Sequence, residues 1–319
     1  MAAEKRHVIV LETMTLPLVQ STTEWFRKEM ASLGYADGGS ISYRVVNAEG
    51  NVDTAKQLLS SAIRQEAPSM VVSIATLASR ATRQLLNESE TPQVFAIVAD
   101  PVGEGFVPAV GKASASNVTG RTHVVPAAAK LQVVAQSIAT LSENAPFRIA
   151  LLRSSYPSAQ SDAKQLLQQV HNYPGIELVE LPYDYIPGEA GRETMRKAAI
   201  ALLKKNRARI DGVWLATGPN EHNPDFVRDV LAKGKPIVYA NNKKAVHAGA
   251  LLCLVSTAEI NGRSIAALAD AIFKGTPAGE IPVTRPDSFS VGLNVATATK
   301  LGIVIPSHIV ELAEGNIVR

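Results

Sequence analysis

Met70-Val71-Val72-Ser73-Ile74-Ala75-Thr76-Leu77-Ala78-Ser79 runs an apolar strand straight into a small-residue turn. Gln93-Val94-Phe95-Ala96-Ile97-Val98-Ala99-Asp100-Pro101-Val102-Gly103-Glu104-Gly105 does so again, and the segment stops at Asn117-Val118-Thr119-Gly120. Short apolar runs bounded by turn residues, with a helical stretch (Arg80 to Leu86) between them, mark buried parallel strands in βαβ units. The carboxyl ends of such strands, where helix N-termini also gather, are where open α/β sheets bind ligands. A small molecule is therefore the first ligand class to consider.

The same alternation extends in both directions. Upstream, strands over His7 to Leu11 and Ile41 to Val46 are each followed by a helical pattern, Ser21 to Leu33 and Val52 to Gln65, with Asp53 suited to a first turn. Downstream, a helix over Ala127 to Leu141 opens a second series. Its strands are Arg148 to Leu152, Glu177 to Tyr183, Gly212 to Ala216 and Pro236 to Tyr239; its helices are Ala159 to His171, Gly191 to Lys204 and Asp225 to Ala232. Alternation of this kind predicts an α/β chain with parallel sheets. Two doubly wound, Rossmann-like lobes suit it better than one large sheet. The strand around Cys253, the helix Gly262 to Lys274 and the strand Phe289 to Leu293 need a chain that crosses between lobes three times, near residues 122, 246 and 285. The expected division is 1–122 with 247–284 against 123–246 with 285–319, joined by a hinge.

Composition narrows the function classes. The 319 residues are 46% hydrophobic, enough for two cores, and the formal charge of +3 is scattered over 32 basic and 29 acidic residues. Nucleic-acid binding needs a clustered basic face; the densest basic run, Lys204-Lys205-Asn206-Arg207-Ala208-Arg209, reads as a solvated helix end. The single cysteine, Cys253, lies in an apolar strand and reads as a buried thiol. The six histidines show no metal-ligand spacing, and no nucleophile elbow, phosphate loop or complete dinucleotide fingerprint occurs. No catalytic residue, metal or cofactor is expected. The N-terminal apolar run, Val8 to Leu11, is too short for a secretory signal. The expectation is a periplasmic or extracytoplasmic protein if a signal has been removed, and a cytoplasmic one if the sequence is complete.

Several segments taken in order resemble one family, the ABC-transporter substrate-binding proteins that include tryptophan- and phenylalanine-binding members. Ser73-Ile74-Ala75-Thr76-Leu77-Ala78 resembles its A-I-G-T-P-A turn, and Asp100-Pro101-Val102-Gly103-Glu104-Gly105-Phe106-Val107 its D-P-V-G-x-G-L-V. Asn117-Val118-Thr119-Gly120, Lys235-Pro236-Ile237-Val238, Ala248-Gly249-Ala250, Gly262-Arg263 and Leu301-Gly302-Ile303-Val304-Ile305-Pro306 match further motifs over nearly the whole chain. The resemblance implies a type I periplasmic-binding-protein fold, a ligand clamped between lobes, and a membrane ABC permease as partner. Departures occur as well. Thr217-Gly218-Pro219-Asn220 stands where the family often has T-D-N, Asn241-Asn242 where G/S-D is common, and Ser154-Ser155-Tyr156-Pro157 where N-P-G-E is found. Two carboxylates that would neutralise a ligand ammonium are thus replaced by amides, and a buried ammonium without a counter-charge is costly. This tilts the ligand towards less positive charge.

The candidate ligand residues sit at predicted strand ends. Thr76 with the amides of Leu77 and Ala78 forms a helix start suited to an anion, the alternative being that Thr76 caps its own helix. Asp100, held extended by Pro101, faces either a ligand or its own turn. Thr13 (with Glu12 and Thr15), Ser154, Ser155, Tyr156, Thr217, Asn220, Tyr239, Asn241 and Asn242 complete the set, the tyrosines as possible walls for a planar ligand such as an aromatic amino acid. The reading is a monomeric solute-binding component of an importer that closes on a small molecule. A ligand sensor of the same fold and a two-lobed enzyme are the alternatives.

Overall fold

The computed structural model describes residues 5–286 and 288–319. The chain divides into two compact units, one of residues 1–124 and 256–288, the other of residues 125–255 and 289–319, so it passes from one to the other three times.

The first unit begins with β1 (Arg6–Glu12), α1 (Pro17–Ser32), β2 (Ile41–Asn47), α2 (Val52–Gln65), β3 (Met70–Ile74), α3 (Thr76–Leu86), β4 (Gln93–Val98) and β5 (Val118–Thr122). All five strands are parallel, in the order β2-β1-β3-β4-β5. Local chemistry sets the ends. Pro17 occupies the first turn of α1 and starts it ahead of the expected Ser21. The Asn51 side chain accepts from the amides of Asp53 and Thr54, capping α2. The chain enters α3 at Thr76, not at Arg80, because Ala75 adopts φ 71° and turns strand directly into helix. β5 was not expected as a strand. Its motif is a set of packing constraints: the Asn117 amide donates to the carbonyls of Leu86, Ser89 and Thr91, and the Thr119 hydroxyl to that of Ile281. A Cβ on Gly120 would lie 2.4 Å from the Phe95 ring.

The second unit runs α4 (Ala127–Ser137), β6 (Phe147–Ser154), α5 (Pro157–Gln169), β7 (Ile176–Tyr183), α6 (Gly188–Lys205), β8 (Gly212–Leu215), α7 (Pro224–Lys233), β9 (Ile237–Ala240), α8 (Lys243–Ala248) and β10 (Leu252–Val255). The chain then supplies α9 (Ala258–Phe273) to the first unit and returns as β11 (Ser290–Asn294), α10 (Val295–Lys300), α11 (Ser307–Leu312) and β12 (Ile317–Val318). The sheet order is β12-β11-β10-β9-β8-β6-β7, with only β11 antiparallel to its neighbour β10. The division therefore departs from the expected one. Residues 247–255 belong to the second unit, because Leu252 and Cys253 pair with β9; the crossings fall after residues 124, 255 and 288.

Strand alternation distributes each core over two faces. In the first unit Val8 and Val10 pack with Phe26 and Met30 of α1 and Ile265 and Ala269 of α9, while Ile9 and Leu11 pack with Leu59 of α2 and Ala81 of α3. In the second, Ala150, Leu152, Val213 and Leu215 face Leu203 of α6 and Val230 of α7. On the opposite face Trp214 stacks on Tyr239 at 4.3 Å, and the Lys130 ammonium of α4 lies 6.0 Å from the Tyr239 ring.

Candidate functional site

Both units contain the strand order 2-1-3-4-5 (β2-β1-β3-β4-β5 and β7-β6-β8-β9-β10), whose direction of winding reverses between the first and third strands. That reversal opens a crevice at the carboxyl ends of those strands, the general ligand position of open α/β sheets. In the first unit it lies between the ends of β1 and β3, in the second between those of β6 and β8.

At the first reversal, the Thr13 hydroxyl donates to the Ile74 carbonyl and accepts from the Ala78 amide, each at 2.9 Å. Thr13 and the Ala78 amide, expected among the ligand groups, are thus occupied with one another: they join β1 to β3 and cap α3. Thr15 accepts from the Asn47 side chain. Thr76 is different. Its residue is 2% exposed and its hydroxyl oxygen has no hydrogen-bond partner. The amides of Thr76 and Leu77, in the first turn of α3, have no acceptor within the helix and none among the other described residues. Two amides, a hydroxyl and the positive end of the helix dipole converge on one spot. Asp100 follows β4, and its carboxylate accepts from the Gly103 amide at 2.8 Å while Glu104 donates to its carbonyl. This is the turn role, and it explains Gly103, where a Cβ would lie 2.4 Å from that carboxylate. The turn is pinned by a two-pronged contact of Arg80 on α3 with Glu104, both at 2.8 Å. Glu12 is buried, accepts from Thr23 at 2.6 Å, and has its acidity weakened by burial.

At the second reversal, Ser154, Ser155 and Tyr156 follow β6. The Ser154 hydroxyl accepts from the Tyr156 amide, and the Ser155 hydroxyl from the Tyr185 amide at 2.8 Å. The Tyr156 ring meets Tyr185 edge-on at 4.9 Å. Thr217 follows β8; its amide donates to Asp162 at 2.9 Å and its carbonyl accepts from Ser158. Asp162 also pairs with Lys130, both side chains being 1% exposed. Asn220 lies in the 3₁₀ turn Pro219–His222, where its amide donates to the Tyr183 hydroxyl at 3.0 Å. Asn241 and Asn242 follow β9. Asn241 donates to the Leu215 carbonyl, while Asn242 caps α8 through the Ala245 amide and donates to the Glu221 carbonyl. Both amides thus brace the frame. Tyr239, expected as a ligand wall, is a core residue: it is 0% exposed, stacked on Trp214, and its hydroxyl donates to the Leu254 carbonyl at 3.2 Å. It sits within β9 and not beyond it, so its ring packs against the sheet's own neighbours.

Glu221 went unnoticed in the sequence. It is 3% exposed, and its carboxyl accepts from the Gly218 amide at 3.3 Å and the Asn241 amide at 2.9 Å. A carboxyl group therefore stands between the two segments where acidic side chains seemed to have been lost, which corrects that expectation. Burial pushes its pKa up to about 8, only partly offset by the two amides; burial also pushes His222 down to about 4. The signal was legible: Gly218-Pro219-Asn220-Glu221 is a first turn with proline inside its start and glutamate three residues after the cap. Glu221, Ser154, Tyr183 and Asn220 border a cavity of about 10 Å³, room for one water.

Among the described residues there is no cluster of three or more metal-ligating side chains, and no helix is long and apolar enough to cross a membrane. Comparison with known proteins agrees with this picture. The chain is 23% identical over 302 residues to a tyrosine-binding protein of Clostridioides difficile (strain R20291), covering 93% of this chain and 81% of that one. It superposes with a TM-score of 0.81 and 20% identity on an ABC domain from Streptococcus pneumonia in complex with L-Trp, covering 99% and 100% of the two chains. A ligand-free, open substrate binding protein with adhesive properties from Clostridium difficile gives 0.68 at 19% identity, with 98% of each chain covered. These likenesses show the type I periplasmic-binding-protein fold. A model of one family, described as ABC transporter substrate binding protein, matches residues 7–317, and the chain belongs to that family.

Proposed function

We propose that the protein is the solute-binding component of an ABC importer for a small planar carboxylate, an aromatic amino acid foremost. It acts as an extracytoplasmic monomer that hands its ligand to a membrane permease. The observation that carries the ligand class is the start of α3. A buried hydroxyl without a partner and two amides without acceptors leave a polar deficit that a carboxylate fills. The edge-on pair Tyr156 and Tyr185 supplies an aromatic surface at the other reversal point. Relatives whose names record tyrosine and L-Trp support the same class. In this reading the ligand completes its contacts with both strand-end sets only when the units close on it, and its differential affinity shifts the population to that form.

A thermal-shift screen against amino acids, aromatic acids, nucleobases and sugars tests it. A ligand at 100 times its Kd stabilises by about 2.7 kcal/mol, a readily measured shift. L-Tryptophan, L-tyrosine or L-phenylalanine is the expected hit. Thr76→Val removes one bond to a charged group, about 1.5–3 kcal/mol, and is expected to weaken binding by at least about tenfold. A hit confined to sugars, or an unaltered Kd in Thr76→Val, would overturn the carboxylate assignment.

A further inference from the structure

We propose that Glu221 clasps the loops after β8 and β9 only in its ionised form, so that binding of ligand to this protein releases a proton. The proposal rests on the functional reading above for the identity of the ligand and on geometry for the clasp. Three hydrogen bonds join the 218–221 turn to the 241–242 segment. The Gly218 amide donates to one carboxyl oxygen of Glu221, the Asn241 amide to the other, and the Asn242 side chain to the Glu221 carbonyl. The same two loops carry Thr217 and Asn220, whose positions at the carboxyl ends of the strands make them ligand candidates.

An ionised carboxylate accepts from both amides at once. A protonated one carries hydrogen on one oxygen, which faces an N–H with an N–H-like partner or turns away, and one loop is released. Burial of the group without a cation at hand favours the protonated form in the free protein, in line with its raised pKa of about 8. The surrounding titratable and charged groups add to this. His222 on the same turn is 3.8 Å away and is itself held neutral by burial. Asp162 on α5 opposes a second negative charge, although Lys130 on α4 pairs with it. Tyr183 on β7, Tyr239 on β9 and Cys253 on β10 are all neutral, buried neighbours. Lys244 on α8 acts on His222, and Lys243 on Cys253. A ligand that needs both loops in place, or that brings an ammonium near them, selects the ionised form.

The test is isothermal titration with L-tryptophan and L-tyrosine between pH 5.5 and 8.5, for wild type and Glu221→Gln. At pH 6.5 it is repeated in phosphate and in Tris, whose ionisation enthalpies differ. The expected wild-type affinity rises by up to about tenfold per pH unit and levels off above about pH 8, with close to one proton released per ligand at pH 6.5. Glu221→Gln is expected to bind more weakly with a flat profile. If that variant does not fold, the wild-type proton count decides alone. A flat wild-type profile without proton release overturns the linkage and leaves the functional reading intact. A wild-type slope retained in Glu221→Gln assigns the proton elsewhere and overturns the role of Glu221. Absence of binding by both amino acids at every pH overturns the functional reading and the linkage together.

Discussion

Ala75 carries a methyl group where the backbone is at φ 71° and ψ 167°, a region that side chains disfavour, and it does so at the point where β3 becomes α3. Ile97, at the end of β4, is a second case at φ 57°, where the register against β5 slips. Strain gathered at two adjacent strand ends, beside the unfilled hydroxyl of Thr76, is what a preformed ligand site shows. Ala75→Gly is expected to raise stability by about 1 kcal/mol in urea titration, since relief of the left-handed strain outweighs the added freedom of the unfolded chain. No gain would mean that the turn is relaxed by other means. At this scale the sequence was only half legible. It located the strand ends, but Thr13, Asp100, Asn241 and Asn242 use the same atoms to hold neighbouring backbone that they would use to hold a ligand. Residue type and position at a strand end do not distinguish the two uses; the partner of each atom does.

Among elements, the closest approach is between α1 and α9. A Cβ on Gly262 would lie 2.5 Å from that of Trp25 and 2.8 Å from the Thr22 carbonyl, so glycine is what allows the helices to touch. Trp25 is held there between Lys28 and Arg263, 4.3 and 5.3 Å from its ring. Gly262→Ala is expected to separate the pair and destabilise by about 1–3 kcal/mol, read as a lower midpoint in denaturant with a change in Trp25 emission. A midpoint within error of wild type would show that the helices slide at no cost. The central strands and long helices were legible because their apolar periods are long and capped by Asn51, Pro17 or Thr257. α8, α10, α11 and β12 were not, being too short for a period to repeat. β5 was hidden because Thr119 and Gly120 serve a polar bond and a ring contact and lack the usual strand composition.

For the whole molecule, pH dependence of stability follows from the pair at the β8 end. Glu221 is raised to about 8, so its contribution is fully present below about pH 4.5 and is lost as pH rises through about 8. His222 is lowered to about 4, so its contribution is present above about pH 6.5 and is lost as pH falls through about 4. Between about pH 4.5 and 6.5 the two slopes oppose each other. Between about pH 6.5 and 8 only Glu221 acts. The difference in Tm between wild type and Glu221→Gln, measured without ligand, is therefore expected to move against wild type from pH 6.5 to 8. A constant difference across that range would place the Glu221 pKa outside it.

The two-unit α/β architecture was legible from alternation alone, but the second crossing was not. The strand around Cys253 reads the same whichever sheet receives it, and only its pairing with β9 assigns it. That threading also bears on how the chain is made. α9, which covers one face of the first sheet beside α1, is separated from that sheet by residues 125–255, and β11 reaches the second sheet only after α9 has been made. At about 5–20 residues per second on the ribosome, the nascent first sheet waits on the order of ten seconds with Val8, Val10 and Val94 uncovered by Ile265 and Ala269. Through that interval the polypeptide is a substrate for holding chaperones and for a translocation channel that accepts unfolded chains.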